Sequence, residues 1–145
     1  MDFEIVRAEQ VDHDFLLQLR LSTMVEHLEQ AGIFLTQDEH LTRLNDDFDC
    51  YHLVIHQNER VGALKYREMS DKFEIMQIQI SPAHQGYGLG KMVLNQVIAW
   101  SVNRGKPIFL TVLKANPARE LYLRLGFTIV GEDQDEFHML RQLPS

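Results

Sequence analysis

The chain has 145 residues, 45% of them hydrophobic and 24% charged, which is the composition of one ordinary globular domain spanning residues 1–145. A formal net charge of −7 argues against nucleic acid or an anionic membrane as the main partner, and the lone Cys50 excludes an intramolecular disulfide or a multi-cysteine metal site. The histidines lack metal-ligand spacing, so we expect no metal, and without a signal peptide or membrane-length apolar run the default location is the cytoplasm.

The N-terminal part of the chain predicts a strand followed by two helices. Residues 3–6 alternate apolar and charged side chains, as a half-buried strand does. Asp12 or Asp14 can cap a first helix that ends at Gly32. The apolar stripe predicted for this helix comprises Leu17, Leu21, Met24, Val25 and Leu28. The capping-box pattern of residues 36–39 opens a second, shorter helix.

Three strands joined by short turns are predicted next, at residues 51–55, 61–66 and 73–80. Such a series favours an antiparallel meander. A helix from Leu89 to Arg104 then leads to a continuous apolar run at 107–113, and the order strand, helix, strand implies a parallel pair. A short helix starting at Asn116-Pro117 and a closing hairpin, residues 127–130 and 137–140, complete one mixed α/β domain.

The most informative stretch is the glycine turn between the third of these strands and the long helix. It reads Gln85-Gly86-Tyr87-Gly88-Leu89-Gly90-Lys91. A strand, a glycine turn and a helix in succession place backbone N–H groups at a helix N-terminus, where an anion can bind. Each glycine also removes a Cβ that would hold a ligand away from the backbone. We therefore interpret the turn as a cradle for a pyrophosphate.

Two familiar phosphate-binding motifs do not fit this turn. A Walker A loop needs a glycine where Gln85 stands and a Ser or Thr where Met92 stands. A dinucleotide fingerprint requires Gly-x-Gly-x-x-Gly after the first strand of a doubly wound fold, whereas this turn follows a meander. A glycine-rich connection without any ligand is the remaining alternative.

The residues around the turn resemble the GNAT superfamily of N-acetyltransferases. Gln85-x-x-Gly88-x-Gly90 is similar to the acetyl-coenzyme A signature of that family, Arg/Gln-x-x-Gly-x-Gly/Ala, and Ser81-Pro82 precedes it as expected. A second block runs from Leu113 and Asn116 through Tyr122 to Gly126-Phe127. The two blocks cover the chain from Phe73 onward. The resemblance implies an α/β (α+β) single-domain fold, with a mixed antiparallel and parallel sheet of about seven strands flanked by about four helices.

The resemblance further implies acetyl-coenzyme A as the acetyl donor and a direct transfer to a primary amine. The donor's pyrophosphate would lie on the backbone of residues 86–90, and its pantetheine arm between two splayed strands. Donor-binding residues would be Gln77, Ile78, Gln79, Ile80, Gln85, Gly86, Tyr87, Gly88, Leu89, Gly90, Lys91 and Asn116.

Two residues are candidates for the proton transfers of such a reaction. Glu74 resembles in spacing the glutamate base of some family members and would deprotonate an amine with a pKa near ~10.4; a solvent-exposed glutamate at a strand edge is the alternative. Tyr122 matches the family tyrosine that donates to the departing thiolate; a packed core tyrosine is the alternative.

The acceptor is less visible in the sequence. It is a small-molecule or peptide amine, and an acidic pocket could attract a cationic one. The carboxylates available for such a pocket are Glu26, Glu29, Asp38, Glu39, Asp133, Asp135 and Glu136. A noncatalytic acyl-coenzyme A binding or sensing module on the same fold is the rival interpretation. The oligomeric state stays open, with a homodimer as one arrangement common in the family.

Overall fold

The computed structural model describes residues 2–144. Within them, seven strands form one sheet in the order β1-β2-β3-β4-β5-β7-β6. The strands are β1 (Glu4–Arg7), β2 (Tyr51–His56), β3 (Glu59–Glu68), β4 (Phe73–Ile80), β5 (Ile108–Leu113), β6 (Thr128–Glu132) and β7 (Glu136–Arg141). The helices are α1 (His13–Gln30), α2 (Gln37–Asn45), α3 (Leu89–Arg104) and α4 (Ala118–Arg124). The predicted mixed sheet with four flanking helices is confirmed.

The sheet changes from antiparallel to parallel at its centre. Strands β1 to β4 pair antiparallel, β4 and β5 pair parallel, and β5, β7 and β6 pair antiparallel again. The crossover from β4 to β5 runs through α3, as a parallel pair requires. The only parallel pair in the described sheet therefore lies directly beside the glycine turn.

Two apolar cores cover the two faces of the sheet. Helices α3 and α4 pack on one face, where Val93 and Val97 meet Phe73 and Ile108. Helices α1 and α2 pack on the other face, over Leu53 and Ala63.

Local signals explain most element boundaries. Thr36 caps α2 through its side chain and Glu39 completes the capping box. Asn116 accepts a hydrogen bond from the backbone N–H of Ala118 at 2.9 Å and so caps α4, as predicted. Gly105 ends α3 at φ 66°, in the left-handed region that glycine tolerates.

The apolar stripe of α1 differs from the prediction. The structure buries Leu16, Leu17, Leu19, Arg20 and Leu28, whereas Leu21, Met24 and Val25 are only half-buried. Met24 lines both cavities described below, whereas Leu21 and Val25 border a separate surface depression of α1, so all three stay partly open to solvent. A buried arginine on the inward face of this helix was not expected from its sequence.

Candidate active site

A groove opens between β4 and β5 because these strands separate after only three paired positions. Phe73, Glu74 and Ile75 pair with β5, and beyond Ile75 and Leu110 the ladder stops. A bulge at the same level inserts Met76 into β4, opposite the step from Lys65 to Tyr66 on β3. Bulges bend a strand and redirect its side chains, and they are frequent beside active sites. The splayed strands expected from the sequence are thus present.

The groove exposes the backbone edge of β4 that the prediction assigned to the donor. A cavity of about 180 Å³ is lined by residues 75–80 of β4, residues 110–113 of β5 and, across them, Asn116, Ala118 and Tyr122. Gln77, Ile78, Gln79 and Ile80 all lie along it. The side chain of Gln79 is 3% exposed, and neither its Oε1 nor its Nε2 has a hydrogen-bond partner among residues 2–144. An amide buried in this way is available to a polar ligand.

The glycine turn forms a separate depression at the end of β4. Gly86 and Gly88 have φ of 86° and 79°, and Gly88 is the N-cap of α3. The first hydrogen bond across the junction runs from the N–H of Met92 to the carbonyl of Gly88, so the N–H groups of residues 89–91 have no helical acceptor. These groups are the donors on which an anion would bind.

The three glycines serve different purposes. Gly86 and Gly88 supply a left-handed backbone conformation, with open space where a side chain would stand. Gly90 has ordinary helical geometry, and a Cβ there would meet only the Cγ1 of Ile80, at 3.9 Å. No clash within the protein therefore excludes a side chain at Gly90, which is consistent with space kept free for a ligand.

Basic side chains border this cradle. His84, Lys91 and Arg124 line the depression together with Gly86, Gly88 and Gly90. Tyr87 is 69% exposed and does not line it. His84 and Arg124 were missed in the sequence, although Arg124 lies two residues after Tyr122 on the same short helix.

Gln85 connects the cradle to the groove. Its Nε2 donates a hydrogen bond of 2.9 Å to the carbonyl of Ile80, the last residue of β4. The Oγ of Ser81 and the Nδ1 of His84 lie 2.6 Å apart in the intervening turn. The side chain of Gln85 therefore holds the end of β4 in place.

Tyr122 belongs to the apolar core on the α3 and α4 face of the sheet and also lines the groove. It is 7% exposed, its ring lies 5.6 Å from that of Phe127, and its hydroxyl has no hydrogen-bond partner within residues 2–144. Burial raises the pKa of Tyr122 to about 12. The phenol stays protonated at physiological pH, so it can serve as a hydrogen-bond donor.

Glu74 lies apart from these residues. Its Oε1 is 2.7 Å from Nη2 and 2.8 Å from Nε of Arg67 on β3, and it lines neither the groove nor the cavity described next. The structure therefore does not bring Glu74 and Tyr122 together, and the role of Glu74 as a base stays a prediction.

A second, larger cavity of about 480 Å³ joins the groove where β4 and β5 separate. Five residues line both, namely Met24, Met76, Gln77, Leu113 and Glu136. One wall of the second cavity carries the cations Arg20, Arg43 and Lys65, and the other carries Asp133, Asp135 and Glu136 of the β6–β7 hairpin.

The acidic residues expected at the acceptor site divide into two groups. Asp133, Asp135 and Glu136 do line the second cavity. Glu26 and Glu29 border a different surface depression, and Glu39 is part of the α2 capping box. The cations were missed, yet Arg20 follows Leu17 by three residues on the apolar side of α1, where a charged residue is a recognisable exception.

Residues 2–144 contain neither a metal-binding cluster nor a membrane-spanning helix. No cluster of three or more His, Cys, Asp or Glu side chains there is arranged to hold a metal ion. None of the helices in the described chain is long and apolar enough to cross a membrane.

The chain is similar to curated acetyltransferases along part of its length. Over 78 residues it is 32% identical to the [ribosomal protein bS18]-alanine N-acetyltransferase of Haemophilus influenzae, covering 53% of each chain. Over 74 residues it is 30% identical to the streptothricin acetyltransferase of Streptomyces lavendulae, covering 50% of this chain and 39% of that protein. The chain thus matches about half or less of the length of these relatives.

Solved structures extend the similarity of fold to the whole chain. The PaiA N-acetyltransferase of Thermoplasma acidophilum, in complex with coenzyme A, superposes with a TM-score of 0.74 at 17% identity, covering 98% of this chain and 99% of the other. The model of the acetyltransferase (GNAT) family matches residues 14–127, a span that includes the glycine turn, the splayed strands and Tyr122. The chain belongs to the GNAT acetyltransferase family.

Proposed function

We propose that the protein is an N-acetyltransferase that moves an acetyl group from acetyl-coenzyme A to a primary amine by direct attack in a ternary complex. The observation that carries this proposal is the junction of two cavities at Met76, Gln77 and Glu136. The groove between β4 and β5 leads to the glycine turn, and the second cavity joins this groove where the two strands separate. Two substrates could therefore meet at one point without leaving the protein.

The residues present fit the donor. Acetyl-coenzyme A supplies the acetyl group as a thioester. The N–H groups of residues 86–91 would hold its pyrophosphate, with Lys91 and Arg124 offsetting the negative charge. The free edge of residues 77–80 would bind the pantetheine amides, and Asn116 lies on the opposite side of the same groove.

Tyr122 would stabilise the departing thiolate. A phenol with a pKa of about 12 does not transfer its proton fully to a thiolate whose own pKa is ~8.5, so it acts mainly as a hydrogen-bond donor. Cys50 is poorly suited to carry the acetyl group, because burial raises the pKa of its thiol and it lines neither cavity. This supports direct attack of the amine on the thioester. An acetyl-cysteine intermediate would need a reactive thiolate in the groove.

Two carboxylates are candidates for the base. Glu74 would first have to leave its ion pair with Arg67. Glu136 lines both cavities at their junction and has no cationic partner within 4.0 Å in the described chain. The geometry favours Glu136, and the assignment to Glu74 is retained as the alternative.

Paired variants distinguish these two bases. Glu136→Gln is expected to lower kcat about 10²-fold, while Glu74→Gln leaves kcat within a few-fold. The measurement is steady-state release of free coenzyme A, with circular dichroism to confirm folding. The reverse order of effects would assign the base to Glu74.

The enzyme itself is tested against its noncatalytic rival by an amine panel. The relatives are named for different acceptors, a ribosomal protein and an antibiotic, so the panel should include polyamines, aminoglycosides, amino acids and N-terminal peptides. We expect amine-dependent release of coenzyme A together with an acetylated product detected by mass spectrometry. Tight binding of acetyl-coenzyme A with no turnover for any amine would instead support the acyl-coenzyme A binding module.

A further inference from the structure

The second cavity contains a group of cations on its α1, α2 and β3 wall. Arg20 comes from α1, Arg43 from α2 and Lys65 from β3, and all three line the cavity. Arg20 is 2% exposed and Lys65 is 7% exposed, so these are not ordinary surface charges. Buried cations are expected to have anionic partners.

These cations have no anionic partner in the described chain. No carboxylate of residues 2–144 lies within 4.0 Å of Arg20, Arg43 or Lys65. The Nε of Arg20 donates to the neutral Nδ1 of His40 at 3.1 Å, and the Nζ of Lys65 donates to the backbone carbonyl of Asp46. Neither contact brings a carboxylate to the cation. The Nζ of Lys65 also lies 4.8 Å from the centroid of the Tyr51 ring, and Asp47 and Asp46 offset part of its charge from beyond 4.0 Å.

The cations also lie close enough to repel one another. Burial lowers the pKa of Arg20, an effect that Tyr51 opposes and Arg43 reinforces. Burial also lowers the pKa of Lys65, which Asp47 and Cys50 oppose and Arg20 reinforces. A bound anion would relieve both the repulsion and the desolvation, because opposite charge favours the protonated form of each group.

The opposite wall has the opposite charge. The hairpin between β6 and β7 contributes Asp133, Asp135 and Glu136. The carboxylate of Asp133 accepts hydrogen bonds from the backbone N–H groups of Asp135 and Glu136 and lies 3.0 Å from the Nε2 of His138. The carboxylates of Asp135 and Glu136 make no such contacts within residues 2–144. Glu136 is the member that also borders the groove beside Tyr122.

We propose that the acceptor is a small molecule carrying both an amine and a carboxylate, of the α-amino acid class. Its carboxylate binds Arg20, Arg43 and Lys65, and its amine lies at Glu136, next to the groove. This inference rests on the proposed function and specifies its acceptor. The cavity of about 480 Å³ has room for a molecule of this size.

The proton balance agrees with this orientation. The ammonium group gives one proton to Glu136, and the neutral nitrogen that results forms the new C–N bond. The nitrogen loses its second proton to solvent as the amide forms, and the C–S bond of the thioester breaks with its electron pair on sulfur. The thiolate is stabilised by Tyr122 and takes a proton from solvent on release. No oxidant or metal is needed.

Matched acceptors test the charge preference. The twenty proteinogenic L-amino acids, β-alanine and γ-aminobutyrate are compared with their carboxamides as acceptors for the wild-type protein. We expect the best acid to exceed its carboxamide by about tenfold or more in kcat/KM, since the carboxamide lacks the charge that makes the contact with the cations strong. Equal or better turnover of the carboxamides would overturn the inference while leaving N-acetyltransfer intact.

A variant of Arg43 then tests whether the cations of the second cavity cause the preference for acids over carboxamides. Arg43 is exposed at its tip and has no ion-pair partner in the described residues, so Arg43→Gln should fold normally. It is expected to raise KM for the acid about tenfold, leaving the carboxamide and the KM for acetyl-coenzyme A unchanged. Arg7→Gln removes one charge outside the cavity, near Asp49, and should change neither value.

Isothermal titration calorimetry measures binding of the acids without requiring turnover, so it tests the carboxylate site even if the proposed function fails. If no amine is acetylated, the proposed function fails, and the same acids are titrated into the wild-type protein and Arg43→Gln. Binding that Arg43→Gln weakens would still support the carboxylate site. Failure of every acid to bind and to react would overturn it.

Discussion

The proposed donor and acceptor sides of this protein differ in how they are encoded. The donor side consists of one continuous stretch, β4 with the glycine turn and the start of α3, together with α4 nearby in sequence. The acceptor side draws its charged groups from Arg20, Arg43, Lys65 and Glu136, on four separate elements. The donor side would bind through backbone groups that a local motif specifies, and the acceptor side through side chains that only the tertiary fold brings together.

The strongest test of the donor side is Gly90→Val. Because a Cβ at Gly90 meets only Ile80 at 3.9 Å, the protein should fold, while the added side chain enters the space above the free N–H groups of α3. Losing two charge-assisted hydrogen bonds would raise Kd for coenzyme A roughly 100-fold, as isothermal titration would measure. Gly90 is better suited than Gly88, whose φ of 79° strains any side chain.

Ala99→Val provides the matched control for that variant. Ala99 is an exposed position on the same helix, away from the cradle, and should leave Kd unchanged. Undiminished affinity in Gly90→Val would refute the pyrophosphate cradle.

Tyr122→Phe tests the hydrogen-bond donor proposed for the departing thiolate in the groove. The ring and its packing against Phe127 are retained, so stability should hardly change, while loss of the hydroxyl should lower kcat about 10²-fold. Since the pKa of Tyr122 is about 12, the wild-type rate should show no decline from its ionisation below about pH 11. Tyr66→Phe, at a half-buried tyrosine stacked on His52, should keep full kcat.

The difference between the two sides also explains what the sequence could predict. The bounds of β4 and α3, the parallel β4–β5 pair and the Asn116 cap follow from apolar runs, glycine positions and capping residues that are local in the chain. The bulge at Met76, the ion pair of Glu74 with Arg67 and the inward Arg20 depend on contacts between distant strands and helices. No single window of residues contains that information.

Gly62→Ala tests how strongly the neighbouring strand fixes the groove. A Cβ on Gly62 in β3 would lie 2.3 Å from the carbonyl oxygen of Gln79, so β3 and β4 must move apart. We expect a loss of about 1–3 kcal/mol in the free energy of unfolding, or roughly 4–10 °C in Tm, and weaker binding of coenzyme A.

Gly131→Ala is the comparison for this change. A Cβ there makes only ordinary contacts with His138, the nearest at 3.5 Å, and Tm should move little. If both alanine variants shifted Tm equally, the close approach of β3 to β4 would not be what holds the groove.

The smallest expected effect concerns His40, which links α2 to the cation group of the acceptor side. Burial, with the charges of Arg20 and Arg43, lowers the pKa of His40 below its ordinary value of about 6.5. Between its folded and unfolded pKa values the unfolded chain binds more protons, so stability falls as the pH drops below about 6.5 and levels off below the folded pKa.

His40→Asn keeps an acceptor for the Nε of Arg20 and removes this titration, which should reduce the decrease in Tm between pH 7.5 and pH 5 by about one to a few degrees. His56→Asn, at a half-buried histidine on β2 that contacts the backbone of Asp2, is the matched histidine-to-asparagine substitution outside the acceptor side. If the Tm of His40→Asn depended on pH as the wild-type Tm does, protonation of His40 beside Arg20 and Arg43 would not destabilise the folded state measurably. The mutual repulsion inferred for these cations would then be wrong.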